Sequence, residues 1–147
     1  MEPQFEQLSE PLPPRQSQEL DKFLPAFIAA QGAFPTIKKS ADNPHFKSKY
    51  ADLGEIIPAV QPILSRNGLC RTHRFRNCGA KQFIECVIYH ASGQWISSGE
   101  IEIKVEANRM GSMQAQGSGI TYARRYTLLA ILDLATDDDD DDPGAWG

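Results

Sequence analysis

The sequence predicts one α+β domain, in which a three-stranded antiparallel β-meander is packed by helices. Two observations carry this prediction: three consecutive strand patterns are joined by short turns, and a long helical pattern follows them. The length of 147 residues suits a single hydrophobic core. We expect a disordered arm at 1–20, the domain at 21–136 and an acidic tail at 137–147.

The arm and the first two helices are predicted from composition and spacing. Residues 1–20 contain four Pro, four Glu and four Gln, so they bury too little apolar surface to offset the entropy of ordering. A helix is predicted from Asp21 to Gly32 and a second one from Leu53 to Asn67. Two prolines inside the second pattern, Pro58 and Pro62, predict a kinked or partly irregular helix.

The three strands are predicted at Leu69–Asn77, Gln82–His90 and Trp95–Val105. In the third strand, Trp95, Ile101, Ile103 and Val105 alternate with charged residues and are expected to share one face. In the first strand, Thr72, Arg74 and Arg76 share a face. That face is either the solvated side of a half-buried sheet or the floor of a binding site.

The last helix is predicted from about Ile120 to Thr136, after a flexible segment at 108–119 that is rich in Gly, Ser, Met and Gln. At 100° per residue, one side of this helix carries Tyr122, Arg125, Tyr126 and Leu129. Arg124 falls on the apolar side, so it needs a partner, which is either a buried carboxylate or a phosphate.

The charge is unevenly distributed along the chain. The whole sequence has a net charge of −4, but residues 34–136 hold 13 basic and 8 acidic residues, a net +5. Charges more than about 8–10 Å away are largely screened at physiological salt, so this central region can act as a cation towards a nucleic acid. A mixed, solvated surface is the alternative explanation.

A loop predicted at residues 34–53 adds to the basic character. It contains the following basic and aromatic side chains: Lys38, Lys39, Phe46, Lys47, Lys49 and Tyr50. Basic residues interleaved with aromatics suit the backbone and unstacked bases of a single strand. An exposed loop whose aromatics anchor it to the core explains the pattern equally well.

Several classes of protein are disfavoured. The sequence has no phosphate-binding GxxxxGK[ST] loop, no GxGxxG after a strand, and no HExxH or GxSxG motif. No apolar run reaches the roughly 18–20 residues of a membrane span. The start of the chain lacks the pattern of a secretion signal, and three cysteines give no disulfide framework. We expect an intracellular protein without a cofactor.

Two arrangements of possible metal ligands are weighed against simpler explanations. Cys70, His73, Cys86 and His90 spell CxxH…CxxxH, but positions 70 and 73 point to opposite faces of one strand, which favours core cysteines and surface histidines over zinc. The run Asp137 to Asp142 could hold Mg²⁺ weakly, whereas nucleases use spaced carboxylates on rigid elements. The run is either a solubilising terminus or a nucleic-acid mimic.

Four segments occur in an order and spacing that resemble the Erf (essential recombination function) family of phage single-strand annealing proteins. They are SKYADL at 48–53, the turn of His90, Ser92 and Gly93, GSGITYARRY at 117–126, and the Asp run after LAT. The resemblance covers about residues 34–142. Family positions present here are Tyr50, Asp52, Leu53, Gly117, Thr121, Tyr122, Arg124, Arg125 and Tyr126.

The resemblance implies a β-β-β-α core, ATP-independent annealing of complementary single-stranded DNA, and homo-oligomeric rings or filaments. It also implies a distant kinship with the annealing rings of eukaryotic double-strand-break repair, and action in the bacterial host cytoplasm. Candidate protein partners are a phage exonuclease and a host single-strand-binding protein. Larger members of the family carry a longer C-terminal region, in which a partner-docking domain would lie.

Candidate DNA-binding residues follow from the motifs and the basic core. Those for phosphates and for base stacking are Lys47, Lys49, Tyr50, Arg74, Arg76, Tyr122, Arg124, Arg125 and Tyr126. A structural role for the TYARRY segment is the alternative: its tyrosines would pack the helix on the sheet, and one Arg would pair with Asp52 or Glu55. We expect no catalytic and no metal-binding residues. A single-strand protector that does not anneal, or a small metal-dependent nuclease, is the alternative function.

Overall fold

The computed structural model describes residues 12–37, 52–104 and 112–135, and it confirms the α+β class with an antiparallel meander. In chain order the described elements are α1 (Phe23–Ala33), α2 (Leu53–Arg66), β1 (Leu69–Cys78), β2 (Lys81–His90), β3 (Trp95–Ser97), β4 (Ile101–Glu102) and α3 (Ser112–Leu132). The sheet order is β1-β2-β3, and β4 also pairs with β2.

The hairpin of β1 and β2 forms most of the sheet. The two strands pair along ten residues, from Leu69 opposite His90 to Cys78 opposite Lys81. Gly79 in the connecting turn has a φ of 61°, a left-handed conformation that glycine adopts without a steric penalty. This register sets the two faces of the sheet. Arg71 and His73 lie on the face that the helices cover, and Arg74 and Arg76 lie on the opposite face.

The predicted third strand is interrupted. Ser98 donates its backbone N–H to the carbonyl of Cys86 at 2.8 Å, Gly99 has a φ of 85°, and pairing resumes only at β4. The interruption changes the phase of the side chains. Trp95 therefore lies with Arg74 on the face away from the helices, whereas Ile103 packs with Ile84 and Ala123 on the helix side. The expected common face was wrong for Trp95, because strict alternation holds only through an unbroken strand, while Ile101 and Ile103 do share the helix side. Val105 lies outside the described residues.

The helix α2 follows its predicted bounds closely. Asp52 caps it by accepting a hydrogen bond from the backbone N–H of Glu55 at 3.0 Å. Its apolar side, represented by Ile56, Val60 and Leu64, is completely buried. The helix continues through two prolines that both lie on the exposed side, where water can reach the carbonyls that lose a donor.

The helix α1 is attached to the turn that joins β2 and β3. The side-chain oxygen of Gln94 accepts from the backbone N–H groups of Lys22 and Phe23, at 2.8 Å each. The same amide donates to Asp21 at 2.8 Å. Gln94 thus satisfies N–H groups that the first turn of a helix leaves without an internal partner, and Phe23 is fully buried beneath it.

The helix α3 begins earlier than the sequence predicts. It starts at Ser112 and not near Ile120, so the segment expected to be flexible is helical from that point. Its glycines cost helix stability, but one of them permits close packing: a Cβ built on Gly119 would lie 2.9 Å from the carbonyl oxygen of Lys104. The helix ends at Leu132, and Asp133 follows with a φ of 50°.

Part of the predicted N-terminal arm is attached to the sheet. The backbone N–H of Ser17 donates to the carbonyl of Trp95 at 2.9 Å, and that of Ser97 donates to the carbonyl of Arg15 at 2.7 Å. Residues 15–17 therefore extend the sheet beyond β3, because they satisfy the outer edge of that short strand. Residues 1–11 of the arm lie outside the described residues. None of the described helices is both long and apolar enough to cross a bilayer.

Candidate nucleic-acid interface

Two tyrosines and an arginine form an exposed cluster on α3. The ring centroids of Tyr122 and Tyr126 are 4.5 Å apart, with the rings inclined by 48°. The guanidinium of Arg125 lies 5.5 Å from the centroid of each ring. Residues one turn apart on a helix meet in this way. We call these three residues the aromatic cluster.

The aromatic cluster presents more ring surface than packing requires. Tyr122 is 56% exposed and Tyr126 is 46% exposed, although tyrosine in a core is mostly covered. The opposite side of the same helix is anchored, since Thr127 and Leu128 are buried. The cluster is therefore held on a fixed helix while its rings remain accessible, and the alternative that these tyrosines pack the helix on the sheet is disfavoured.

Arg124 lies on the other side of α3, next to His73 of β1. The Nε2 atom of His73 is 3.2 Å from the carbonyl oxygen of Arg124 and 3.0 Å from Oγ1 of Thr127. A carbonyl only accepts, so Nε2 carries the hydrogen and donates it. The hydroxyl of Thr127 in turn donates to the carbonyl of Ala123 at 2.8 Å. These bonds attach α3 to the helix-covered face of the sheet.

The contact between β1 and α3, which we call the seam, disfavours a positive charge on the imidazole of His73. Burial, then the charge of Arg124 and after it that of Arg71, lower the pKa of His73 from 6.5 to about 4. Burial also raises the pKa of the thiol of Cys86, the cross-strand partner of His73, to about 12. His73 is thus neutral at physiological pH, and Cys86 is a protonated, unreactive thiol.

Arg74 is fully engaged on the opposite face of the sheet. Its guanidinium forms an ion pair with Glu85, with Nη2 2.7 Å from Oε1, and donates to the hydroxyl of Tyr89 at 3.2 Å. It also lies 5.2 Å from the ring centroid of Trp95. Glu85 accepts a further hydrogen bond from the hydroxyl of Ser97. The charge of Arg74 is therefore largely balanced within the protein.

Arg76 has the same character. Its Nε and Nη2 atoms donate to the two carboxylate oxygens of Glu100 at 2.8 Å each, and its guanidinium lies 4.7 Å from the ring centroid of Phe83. This paired bond raises the pKa of Arg76 and lowers that of Glu100. The face that carries Arg74 and Arg76 is thus a surface of paired charges over aromatic rings.

The predicted site residues form two groups and not one. Tyr122, Arg124, Arg125 and Tyr126 belong to α3, on the helix side of the sheet, while Arg74 and Arg76 occupy the opposite face. Three further candidates, Lys47, Lys49 and Tyr50, lie outside the described residues. A single strand that lies along α3 would therefore not contact the two sheet arginines of the same copy.

Comparison with known proteins places the chain in a family. Residues 23–145, which include every described element, match the ERF superfamily. The chain belongs to the ERF superfamily. The family consists of single-strand annealing proteins of phage-type recombination, as the sequence resemblance implied. Neither a curated protein nor a solved structure gives a significant match.

Several positions that carry the ERF resemblance have structural roles here. Asp52 caps α2, and Leu53 packs against the main core. The hydroxyl of Thr121 donates to the carbonyl of Gly117 at 3.0 Å, one turn earlier in α3. The two rings of the aromatic cluster differ from these residues in that about half of their surface is exposed.

Arg71 is not among the candidates predicted from the sequence, although period-two alternation along β1 places it with His73, on the face opposite Thr72, Arg74 and Arg76. The contacts of Phe83 and Trp95 with the sheet arginines were not predicted either. Strand register decides such contacts, and register depends on the turns.

Metal chemistry has little support in the described part of the chain. There, no three His, Cys, Asp or Glu side chains come close enough together to hold an ion. The expectation of core cysteines and surface histidines was only partly right: Cys86 is buried, but Cys70 is exposed and His73 is partly buried. The Asp137 to Asp142 run lies outside the described residues.

Proposed function

We propose that this ERF-superfamily protein binds single-stranded DNA and anneals complementary strands without ATP, in phage-type homologous recombination in the bacterial host cytoplasm. Family membership supports the class of activity. The observation that carries the proposal is the aromatic cluster, because two accessible rings and an arginine on a fixed helix suit an unpaired strand.

The chemistry of the cluster fits annealing better than sequence-specific recognition. Tyrosine rings stack on any base, and each stacked base contributes about 1–3 kcal/mol. An arginine beside them can contact the phosphate backbone, which carries no sequence information. Bases held in this manner keep their edges free to pair with a second strand, as annealing requires.

The phosphate contacts are assigned first to α3. Arg124 and Arg125 are adjacent in the helix that carries the stacking rings, so one strand can reach both the rings and the charges. Lys47, Lys49 and Tyr50 remain candidates from the sequence. Arg74 and Arg76 are weaker candidates, because a phosphate would have to displace Glu85 and Glu100 from them.

Affinity requires more than one copy. A single subunit offers few cations, and linked sites on an oligomer raise the effective concentration of each further contact. We therefore propose a homo-oligomer, either a ring or a filament, with the α3 surfaces aligned along the strand. Light scattering with and without a short single strand tests this: a mass of several subunits supports assembly, and a monomer in both conditions contradicts it.

The experiment for the function is an annealing assay. Two complementary oligonucleotides, one with a fluorophore and one with a quencher, are mixed with the full chain at low salt without nucleotide and with EDTA. We expect pairing several-fold faster than the spontaneous rate. Pairing at the spontaneous rate, by a protein that is folded, would contradict the proposal.

The same assay separates the alternatives. A single-strand protector would bind either oligonucleotide tightly yet slow their pairing. A metal-dependent nuclease would shorten the labelled strands with Mg²⁺ but not with EDTA. The described part of the chain offers no cluster of three metal ligands, so no observation there favours the nuclease.

A further inference from the structure

Arg71 contains a buried donor without an acceptor. Its side chain is partly buried on the helix-covered face of β1, and among the described residues its Nε atom has no hydrogen-bond partner. Leaving a buried polar group unsatisfied is costly, and more so for a charged group. Native structures rarely retain such a group without a reason, such as an ion or ligand that completes it.

The other sheet arginines show what is missing at Arg71. Arg74 is paired with Glu85 and Arg76 with Glu100, and these are the two ion pairs among the described residues. Both of those carboxylates are turned to the opposite face of the sheet. Within the described residues, the face that carries Arg71 therefore gives it no carboxylate.

Arg124 is a second arginine whose charge acts on this region. It is partly buried on the sheet side of α3, and it too has no carboxylate partner in the described parts of the chain. Its backbone contacts His73, which lies two residues from Arg71 on the same face of β1. Both guanidiniums act electrostatically on the same two groups, His73 and Cys86. Two positive charges that have no carboxylate partner among the described residues thus act on one neutral imidazole.

We propose that Arg71 and Arg124 together bind one backbone phosphate of single-stranded DNA at the seam between β1 and α3. The inference rests on the proposed function and adds to it a ligand, Arg71, on a different element from the α3 residues. Guanidinium forks suit phosphate oxygens, and a phosphate would supply the acceptor that the Nε atom of Arg71 lacks. It would also offset the repulsion between the two cations.

The position of this subsite agrees with the aromatic cluster. Arg124 and Arg125 are consecutive in α3 and lie about 100° apart around it. The charge of Arg124 acts on His73 at the seam, whereas the guanidinium of Arg125 lies 5.5 Å from the ring centroids of Tyr122 and Tyr126. The phosphate contact and the stacking surface therefore lie within about one turn of the same helix. A strand whose bases lie on the rings can place its backbone along the seam.

The test compares Arg71→Met with the full-length wild type and with a control, Lys81→Met. Lys81 is exposed and pairs with Cys78 at the far end of the hairpin, roughly 23 Å from Arg71 at 3.3 Å per residue. Both variants lose one positive charge. Fluorescence anisotropy with a labelled oligonucleotide, over a series of salt concentrations, measures affinity and its salt dependence.

We expect Arg71→Met to weaken binding about tenfold or more, and Lys81→Met less than twofold. The slope of log affinity against log salt should become shallower by about 0.7 for each bound phosphate that is lost. Thermal unfolding without DNA tests for a structural role, because replacing an arginine that stabilises the fold would lower the unfolding temperature. Arg71→Met should unfold at or above the wild-type temperature, because it removes an unsatisfied donor.

Arg71→Lys provides a second variant, which keeps the positive charge but loses the planar guanidinium with its paired N–H donors. We expect it to fold as the wild type does and to bind a few-fold more weakly. Wild-type affinity and slope in Arg71→Lys and Arg71→Met would overturn the subsite, as would a loss of thermal stability with unchanged binding. Failure of the wild type itself to bind single strands would instead contradict the proposed function, so the two failures are distinguishable.

Discussion

Arg76 donates two hydrogen bonds of 2.8 Å to the two carboxylate oxygens of Glu100, from Nε and from Nη2. This paired geometry balances the charge of a residue that the sequence alone presents as a free cation. Arg74 and Arg76 of β1 therefore stabilise one face of the sheet, where their guanidiniums lie over aromatic rings. They are less suited to a row of phosphate contacts.

The first prediction follows from this pairing. Arg76→Gln should change single-strand affinity less than twofold, because its charge is already balanced, while Arg125→Gln should reduce it about fivefold or more. Anisotropy titrations under one salt condition measure both. Equal losses in the two variants would show that the sheet face also contacts DNA.

The second prediction concerns the two consecutive arginines of α3. Arg124→Ala combined with Arg125→Ala should weaken single-strand binding and make its salt dependence shallower, since phosphate contacts release counterions. The matched control is Lys22→Ala combined with Lys81→Ala, which removes two exposed charges elsewhere. If the arginine variant is folded and binds as the control does, these arginines are structural.

The third prediction compares two glycines of the same helix. Gly119→Ala would place a Cβ 2.9 Å from the carbonyl oxygen of Lys104, and we expect it to lower the free energy of unfolding by roughly 1–3 kcal/mol. Among the described residues nothing lies within 4 Å of a Cβ built on Gly117, so Gly117→Ala should raise that free energy by about 0.5–1 kcal/mol. Denaturant titrations measure both. Shifts of the same sign would contradict the close approach of α3 to the segment after β4.

The fourth prediction concerns pH. The folded protein holds the pKa of His73 at about 4, below its ordinary value of 6.5, so between these values the unfolded chain binds more protons. The contribution of neutral His73 to the free energy of unfolding is therefore fully present above pH 6.5 and is lost as the pH falls towards 4. Because the ring is only partly buried, we expect a loss of about 1–2 kcal/mol. His73→Gln should lose less over the same range, and an identical loss would exclude His73 as the cause.

Much of the fold could be predicted from local patterns. Apolar spacing gave the bounds of α2 to within a residue, and the short turns gave the β1–β2 hairpin. The predicted start of α3 was wrong. The glycines and serines at 112–119 disfavour a helix by composition, but the close packing at Gly119 favours one. The interruption at Ser98 and Gly99 depends on hydrogen bonds to β2 that a single strand pattern does not reveal.

The candidate site could be predicted in part. Helical periodicity correctly brought Tyr122, Arg125 and Tyr126 together and placed Arg124 on the other side. The carboxylate partners of Arg74 and Arg76 could not be predicted, because Glu85 and Glu100 reach them only through the strand register. Arg71 was missed for a different reason: alternation along β1 places it on the face opposite Arg74, but the burial of its donor, which has no acceptor among the described residues, depends on how the helices pack on that face.

The measurement that tests the central claim most directly is the annealing rate of a variant without the stacking rings. Tyr122→Ala combined with Tyr126→Ala removes both exposed rings from α3, and Tyr122→Phe combined with Tyr126→Phe keeps them as a control. In the absence of nucleotide, we expect the alanine variant to pair complementary oligonucleotides at close to the spontaneous rate and the phenylalanine variant to pair them at nearly the wild-type rate. A folded alanine variant that anneals as fast as the wild type would contradict the account.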